Sequence, residues 1–211
     1  MNDSVSLHSA NQSPAEESWK RGVRVLGVSE SFVRGDGTST VVGVVMRGDY
    51  RIDGFGVCRP AVGGTDATSE LLGMYRRIDR ADIRVWLLGG GVISWFNVVD
   101  FHSLFDSTAL PVVCVSYYPS EGIDKYLREY FPDDWAERVK ILEGNGPRVM
   151  VQLKTGHIAF LNVVGMSVVG ARKLLDQFTT DGRVPEPVRV ARQLAAALRR
   201  DSGHAIGEHS S

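Results

Sequence analysis

The order of hydrophobic and polar positions predicts three β-strands near the start of the chain. Residues 23–28, 40–46 and 51–58 are rich in β-branched and other apolar residues, which favours strands. Turn-forming residues from Arg47 to Tyr50 separate the second strand from the third, so these two are expected to form an antiparallel hairpin. A polar stretch rich in glycine and serine separates the first strand from that hairpin.

From residue 66 onward the hydrophobic period changes, and helices alternate with strands. Apolar residues from Leu71 to Ile78 recur at i, i+3, i+4 and i+7, which is one face of a helix. Residues 83–88 and 111–117 are continuous apolar runs typical of buried strands, whereas residues 96–105 are apolar nearly all round and predict a buried helix. The remaining predicted elements are helices at 123–130, 135–142, 167–178 and 185–200, and an antiparallel strand pair at 148–153 and 157–163.

This order of elements predicts an α/β fold with a mixed sheet and helices on both of its faces. It is the pattern of a ribonuclease-H-like fold, in which a three-stranded meander is extended in parallel by the fourth and fifth strands. One domain is expected between residues 21 and 200. Residues 1–20 and 201–211 contain few large apolar side chains, so they are predicted to be disordered tails.

The composition is that of an ordinary globular protein, and it excludes several classes of function. With 24 basic and 25 acidic residues among 211, no overall charge attracts nucleic acid or an anionic membrane. Cys58 and Cys114 lie in apolar runs, which predicts buried thiols rather than a disulfide or a zinc site. No apolar stretch reaches the ~20 residues of a membrane span, and the N-terminus has no signal-peptide core. A cytoplasmic protein without a membrane partner is therefore expected.

Six segments together form a recognisable set of motifs in a fixed order. They are RVLGVSES (24–31), VVGVVMRG (41–48), VGGTDAT (62–68), WFNVVD (95–100), LPVVCVSYYP (110–119) and PEPVRVARQLA (185–195). This set resembles the archaeal family called domain of unknown function 99, and the spelling GVSES resembles its haloarchaeal branch. The resemblance implies a fold related to endonuclease V, which is itself ribonuclease-H-like. It implies no particular reaction, because fold alone is a weak guide to function.

A nuclease of this fold needs carboxylates that converge on one or two Mg²⁺ ions, which activate water and stabilise the leaving oxygen. The resemblance places aspartates at the end of the first strand, near the first helix and at the end of the fourth strand. In this chain those positions hold Ser29 with Glu30 beside it, then Asp66, then Gly89. Two-metal chemistry is hard to rebuild from Glu30 and Asp66 alone. A single hydrated Mg²⁺ needs only one or two protein carboxylates, so it remains the one cofactor to consider.

Each remaining acidic residue has a structural alternative to a role in a site. Glu30 is either a metal ligand or a solvated loop residue, and Asp66 is either a ligand or the N-cap of the first helix. Asp100 and Asn97 are predicted to share one face of the buried helix, as polar anchors or as site residues. Glu30, Asp66 and Asp100 are the candidate catalytic residues, and Glu30 and Asp66 are the candidate metal ligands.

The last predicted helix carries arginines beside its apolar face: Arg189, Arg192, Arg199 and Arg200. Such a stripe suits phosphate groups, although an ordinary solvated face has the same composition. Arg189 lies near the helix N-terminus, where the helix dipole disfavours a cation. Its expected partner is one of the three candidate carboxylates or a bound phosphate. Arg189 and Arg192, together with Asn97, are the candidate contacts to nucleic acid.

Three functions fit these residues. The first is a DNA- or RNA-binding protein with an endonuclease V-like fold and a degraded metal-dependent nuclease site. The second is a Mg²⁺-dependent nuclease or phosphodiesterase with a rearranged carboxylate site. The third is a protein-interaction module that uses Trp95, Phe96 and the edge formed by Tyr117 and Tyr118. The sequence favours the first function, because two of the expected carboxylates are replaced, and it determines neither the substrate nor the oligomeric state.

Overall fold

A computed structural model gives the structure of residues 19–119 and 122–207. Residues 1–18, nearly all of the first predicted tail, and residues 208–211, the last four of the second, lie outside the described residues. The last helix continues beyond its predicted end at Arg200 as far as Gly207. No helix within the described part of the chain is long and apolar enough to cross a membrane.

A seven-stranded mixed sheet forms the centre of the molecule. The described strands are β1 (Arg24–Ser31), β2 (Thr40–Arg47), β3 (Ile52–Cys58), β4 (Ile83–Leu88), β5 (Val92–Ile93), β6 (Asn97–Val98), β7 (Val112–Ser116), β8 (Val149–Gln152) and β9 (Ile158–Val164). The sheet has the order β3-β2-β1-β4-β7-β9-β8, and β5 pairs with β6 in a separate hairpin. Strand β4 is parallel to β1 and to β7, while the other pairs are antiparallel. The predicted mixed sheet, with its meander and its hairpin, is confirmed.

Helices cover both faces of this sheet, as the pattern predicts. They are α1 (Ala67–Ile78), α2 (Phe101–Thr108), α3 (Asp124–Tyr130), α4 (Trp135–Gly144), α5 (Val168–Phe178) and α6 (Glu186–Gly207). The adjacent residues Val25 and Leu26 of β1 point to opposite faces, so each belongs to a different core. Val25 packs in the core formed with α5 and α6, and Leu26 packs in the core formed with α1 and α2.

The predicted helix over residues 96–105 is wrong in its first half. Ser94, Trp95 and Phe96 have φ values of 48°, 56° and 67°, which a right-handed helix of L-residues does not allow. They form the turn between β5 and β6, and α2 begins only after Asp100, its N-cap. Asn97 lies on β6, so it and Asp100 do not share a helix face as predicted. An apolar run has the same composition in a buried turn as in a buried helix, and tertiary contacts decide between them.

Helix α6 lies unusually close to the central strands β1 and β4. A Cβ atom on Gly27 would be 2.4 Å from the Cβ of Pro187 and 2.6 Å from its carbonyl carbon. A Cβ atom on Gly89, just after β4, would be 2.5 Å from the Cγ1 methyl of Val188. These distances are shorter than van der Waals contact, so both glycines are needed for the helix to approach the sheet.

Substituting Gly27 by alanine tests this close approach. A methyl group there forces α6 away from β1, so Gly27→Ala is expected to lower the free energy of unfolding by about 1–3 kcal/mol. Urea denaturation measures the change. Gly35→Ala is the matched control, because no atom beyond residues 34–36 lies within 4 Å of the added Cβ, and it is expected to change stability by less than about 0.5 kcal/mol. Equal stability of both variants and the parent protein would contradict the packing described.

Candidate functional site

The carboxyl ends of β1 and β4 meet at one edge of the sheet, because the two strands are parallel. The amide of Gly89 donates to the carbonyl of Val28 at 2.9 Å, and a Cβ on Gly89 would be 3.6 Å from the Oγ of Ser29. Ser29 and Gly89 therefore lie side by side, where the family resemblance placed two carboxylates. Val188 occupies the space that a side chain on residue 89 would need.

Glu30 is directed toward the β5–β6 turn rather than into solvent. Its Oε2 accepts hydrogen bonds from the amide of Ser94 at 2.7 Å and from the hydroxyl of Ser94 at 3.2 Å. The same hydroxyl lies 2.5 Å from the Oγ of Ser39. Burial raises the pKa of Glu30 to about 6, and the two hydrogen bonds from Ser94 counteract the shift in part. Of the two roles considered for Glu30, that of a solvated loop residue is wrong, because the carboxylate is half-buried and anchors the turn.

Asp66 occupies the N-cap position of α1, but its side chain does not cap the helix. Its two oxygens each lie 3.1 Å from the amide of Ala61, and Oδ1 also accepts from the Nδ2 of Asn97 at 2.7 Å. Asn97 takes over the capping role, since its Oδ1 accepts from the amide of Ala67 at 2.9 Å. Asn97 is fully buried. Its predicted contact with nucleic acid is therefore wrong, because its polar atoms are already used inside the protein.

Asp100 serves as the N-cap of α2. Its Oδ1 accepts from the amide of Ser103 at 3.0 Å, and its Oδ2 accepts from the Ser103 hydroxyl at 2.8 Å. Of the two roles considered for this residue, the structure shows the structural one. Within residues 19–119 and 122–207, no group of three or more His, Cys, Asp or Glu side chains is placed so that it could hold a metal ion.

The turn from Ser94 to Phe96, here called the aromatic turn, is held in a strained conformation. Each non-glycine residue with positive φ costs about 1–2 kcal/mol, and three follow one another. The amide of Ser94 is held by Glu30, the carbonyl of Ser94 accepts from the amide of Gly63 at 2.7 Å, and the carbonyl of Phe96 accepts from Arg138 at 2.8 Å. Strain that is fixed from several sides is common where a side chain must be presented to a ligand.

Arg138 on α4 is the residue that sequence reasoning missed. Its side chain is only 4% exposed, and the guanidinium donates to the carbonyls of Gly63 and Gly64 at 2.9 Å and to that of Phe96 at 2.8 Å. An ion pair with Asp134 at 2.8 Å balances its charge. The i, i+4 spacing of Asp134 and Arg138 is that of an ordinary surface pair, so no sequence pattern indicates that Arg138 is buried.

A cavity of about 330 Å³ lies beside the aromatic turn, between the ends of β4 and β7. Its lining combines backbone, apolar and polar groups, among them Gly90, Gly91, Phe96, Phe101, Asn145 and Arg148. Its volume is in the range of small-molecule sites in proteins. The side-chain amide of Asn145 is fixed by two hydrogen bonds. Its Oδ1 accepts from the backbone amide of Phe101 at 2.9 Å, and its Nδ2 donates to the carbonyl of Val99 at 2.8 Å. This wall of the cavity is therefore preformed.

Arg189 has an acidic partner, but the partner is not one of the three candidate carboxylates. It pairs with Glu186 on the preceding turn of α6 and lies 3.8 Å from Asp181. The expectation of a partner among Glu30, Asp66 and Asp100 is therefore wrong. The negative charge of Glu186, in the first turn of α6, compensates the positive charge of Arg189 near the positive end of the helix dipole.

Other arginines line the end of β7, next to the cavity. Arg183 donates to the carbonyl of Tyr117 at 2.8 Å and lies 4.6 Å from the ring centroid of Tyr118, and Arg148 donates to the Tyr118 carbonyl at 3.3 Å. Burial raises the pKa of the Tyr117 phenol, and the nearby charges of Arg192 and Arg183 oppose that shift. Arg148 and Arg183, which contact the end of β7, and Arg192, whose charge acts on the Tyr117 phenol, are called the arginine rim below.

The pH dependence of stability tests the position of Glu30. Its pKa is about 6 in the folded protein against 4.5 for the free side chain, so the folded state binds the proton more tightly. The stabilisation is complete below pH 4.5 and is lost as the pH rises through 6, by about 2 kcal/mol at most. Glu30→Gln keeps an acceptor for Ser94 and removes the titration. Its unfolding free energy relative to the parent protein is expected to rise across this range, and a constant difference would contradict the burial of the carboxylate.

Comparison with known sequences identifies relatives along nearly the whole folded region. The sequence model of the family described as endonuclease dU matches residues 21–199. A UPF0215 protein of Thermococcus gammatolerans is 33% identical over 186 residues, which cover 85% of this chain and 93% of that protein. A UPF0215 protein of Pyrobaculum aerophilum is 30% identical over 176 residues, covering 83% of this chain and 94% of the relative. The resemblance to an archaeal family is confirmed, and the haloarchaeal branch stays a prediction.

Solved structures share the same fold. A protein of unknown function from Archaeoglobus fulgidus aligns with a TM-score of 0.74 at 31% identity, over 83% of this chain and 98% of that one. Human endonuclease V aligns with a TM-score of 0.61 at 18% identity, over 91% and 92% of the two chains. Endonuclease V of Ciona intestinalis, in complex with a 24mer DNA containing an inosine followed by a ribo-adenosine, aligns with 0.55 at 14%, over 86% and 87%. The fold is endonuclease V-like, and the chain belongs to the endonuclease dU family.

Proposed function

We propose that the protein binds nucleic acid at the carboxyl edge of its sheet and has lost metal-dependent strand cleavage. The adjacency of Ser29 and Gly89 at the ends of two parallel strands carries this proposal. Two-metal cleavage needs charged oxygens at such a position, and neither residue supplies one. A side chain on residue 89 also requires Val188 to move, so no small rearrangement replaces the missing carboxylate.

The remaining carboxylates are engaged in holding the protein together. Glu30 accepts from the amide of Ser94, and Asp66 accepts from the amide of Ala61 and from Asn97. Turning either carboxylate toward a metal ion leaves a backbone amide without its partner, which costs about 1–3 kcal/mol for each buried group. The arrangement therefore favours structural roles for both.

Binding to nucleic acid is supported by the arginine rim beside the cavity. Arginine suits phosphate, because its planar fork donates two parallel hydrogen bonds to two oxygens. The net charge of −1 means that any attraction must come from such a local cluster. The family's description as endonuclease dU makes DNA that contains deoxyuridine the first ligand to test. The cavity has room for a base that is turned out of the stack.

A Mg²⁺-dependent nuclease remains the second candidate, and the β5–β6 hairpin favours it. Glu30 binds Ser94 at one side of this hairpin, and Asp66 binds Asn97 at the other, so both carboxylates surround one small element. A single hydrated Mg²⁺ takes few protein ligands. The family's description as endonuclease dU agrees with this alternative as well. It requires cleavage that disappears in EDTA and in Asp66→Asn.

Fluorescence anisotropy with labelled oligonucleotides, with and without deoxyuridine, measures the proposed binding. The affinity of the parent protein is expected to fall steeply between ~50 and ~200 mM salt, because each phosphate contact releases counterions. Arg192→Gln is expected to weaken binding and to reduce the slope of log affinity against log salt by about one unit. Arg84→Gln is the matched control, since this exposed arginine of β4 lies among the residues that line a separate cavity with Trp19 and Arg24. An affinity that does not change with salt concentration would contradict the proposal.

Denaturing gels of the same oligonucleotides distinguish the two candidates. With Mg²⁺ or Mn²⁺ present, the proposal expects the oligonucleotides to stay intact. Metal-dependent cleavage that Asp66→Asn abolishes and Asp106→Asn preserves would overturn it in favour of the nuclease. Asp106 is a suitable control because it is an exposed acid on α2.

A further inference from the structure

A cluster of aromatic side chains lies outside both hydrophobic cores. It joins the aromatic turn to the end of α3, and its rings are those of Trp95, Phe96, Tyr126, Tyr130 and Phe131, with neighbouring centroids 5.2–6.5 Å apart. None of these five rings is among the described residues of either hydrophobic core. Tyr126 and Tyr130 remain 40% and 38% exposed. The cluster therefore presents ring surface to solvent that the packing of the two cores does not require.

Cations accompany these rings. The guanidinium of Arg34, an exposed residue, lies 4.5 Å from the ring centroid of Trp95 and 5.1 Å from that of Tyr130. The ammonium of Lys125 lies 4.7 Å from the ring centroid of Tyr126. Aromatic faces beside cations complement the two parts of a nucleotide, because a base stacks on a ring and its phosphate pairs with the cation.

The cluster is held rigidly before any ligand binds. The three strained residues of the aromatic turn present Trp95 and Phe96, and a Cβ on Gly63 would be 2.9 Å from the Trp95 ring. Arg138 also contacts the cluster, since its guanidinium lies 3.9 Å from the ring centroid of Phe131. Side chains that are ordered in advance lose less conformational entropy on binding, which favours a binding surface over incidental packing.

We propose that this cluster is a stacking platform for the unpaired bases of single-stranded DNA. The proposal rests on the proposed nucleic-acid binding and specifies the form of the ligand. Paired and stacked bases in a duplex do not expose their faces, so a platform of rings selects an unpaired strand. Phe96 belongs to the platform and also lines the 330 Å³ cavity, so the two are continuous. A DNA strand bound on the platform therefore lies next to the cavity at the carboxyl edge of the sheet.

Replacing one exposed ring outside the aromatic turn tests the platform and leaves Ser94, Trp95 and Phe96 themselves unchanged. Tyr130→Ala removes a ring that is 38% exposed, and the control Phe55→Ala removes a more exposed ring (51%) from the edge strand β3. Loss of one stacked base costs about 1–3 kcal/mol, so Tyr130→Ala is expected to weaken single-strand binding roughly 5- to 140-fold. Binding of the matching duplex and the salt slope are expected to stay unchanged, as is every property of Phe55→Ala.

Photo-crosslinking gives an independent readout of the same contact. A single-stranded oligonucleotide with one 5-iododeoxyuridine, irradiated in the complex, forms a covalent bond to an aromatic ring stacked on that base. Mass spectrometry of the digested complex is expected to find the adduct on Trp95, Phe96, Tyr126 or Tyr130. An adduct confined to Tyr118 would overturn the proposal and place the strand on the arginine rim.

The outcomes separate the platform from the proposed function. If the parent protein binds neither single-stranded nor duplex DNA, the proposed function fails and the platform fails with it. If it binds DNA but Tyr130→Ala binds single strands equally well, only the platform fails. Sedimentation measurements in which Tyr130→Ala abolishes an association between copies of the protein, with single-strand binding intact, would assign the cluster to protein contacts and overturn the proposal.

Discussion

The close approach of α6 to the carboxyl ends of β1 and β4 determines what the candidate site contains. Pro187 lies against Gly27 and Val188 against Gly89, at distances that exclude a Cβ on either glycine. The same contacts bury Val188 in the core between the sheet and α6. Residue 89 therefore contributes to helix packing at the position where the family resemblance placed a carboxylate. A side chain at residue 89 and the methyl group of Val188 cannot occupy the same space, and in this protein Val188 occupies it.

The acids that remain near this edge are organised around the β5–β6 hairpin. Glu30 fixes the hairpin through Ser94, and Asp66 fixes it through Asn97. Together with Arg138, they hold the hairpin in a conformation that three consecutive residues of positive φ make costly. These contacts hold Trp95 and Phe96 where their rings join the partly exposed cluster of aromatic side chains. In the proposed function, the same carboxylates that serve no metal ion therefore hold in place the surface proposed for unpaired bases.

Much of the architecture could be predicted from the sequence, because periodicity reports burial directly. The apolar run at residues 23–28 and the helical spacing from Leu71 to Ile78 predicted β1 and α1, and similar runs predicted the other strands of the mixed sheet. The adjacency of Ser29 and Gly89 also followed, since parallel strands bring their carboxyl ends together. The helical conformation assigned to residues 96–100 was wrong, because an apolar composition does not distinguish a turn from a helix.

The candidate site was less predictable, because its contacts join residues far apart in the chain. Arg138 looks like half of a surface ion pair, yet it is buried against the carbonyls of Gly63, Gly64 and Phe96. Asn97 was expected to contact a ligand and instead caps α1. Only the long-range packing of α4 and the hairpin decides these roles, and no local spacing reports it.

Calorimetric titration of Mn²⁺ into the protein and into Asp66→Asn tests the loss of the metal site most directly. Neither protein is expected to give saturable heat at neutral pH, because the remaining carboxylates are bound to Ser94, Ala61 and Asn97. Saturable binding of one ion per chain in the parent protein, abolished in Asp66→Asn, would contradict this expectation and show that the remaining acids still form a metal site.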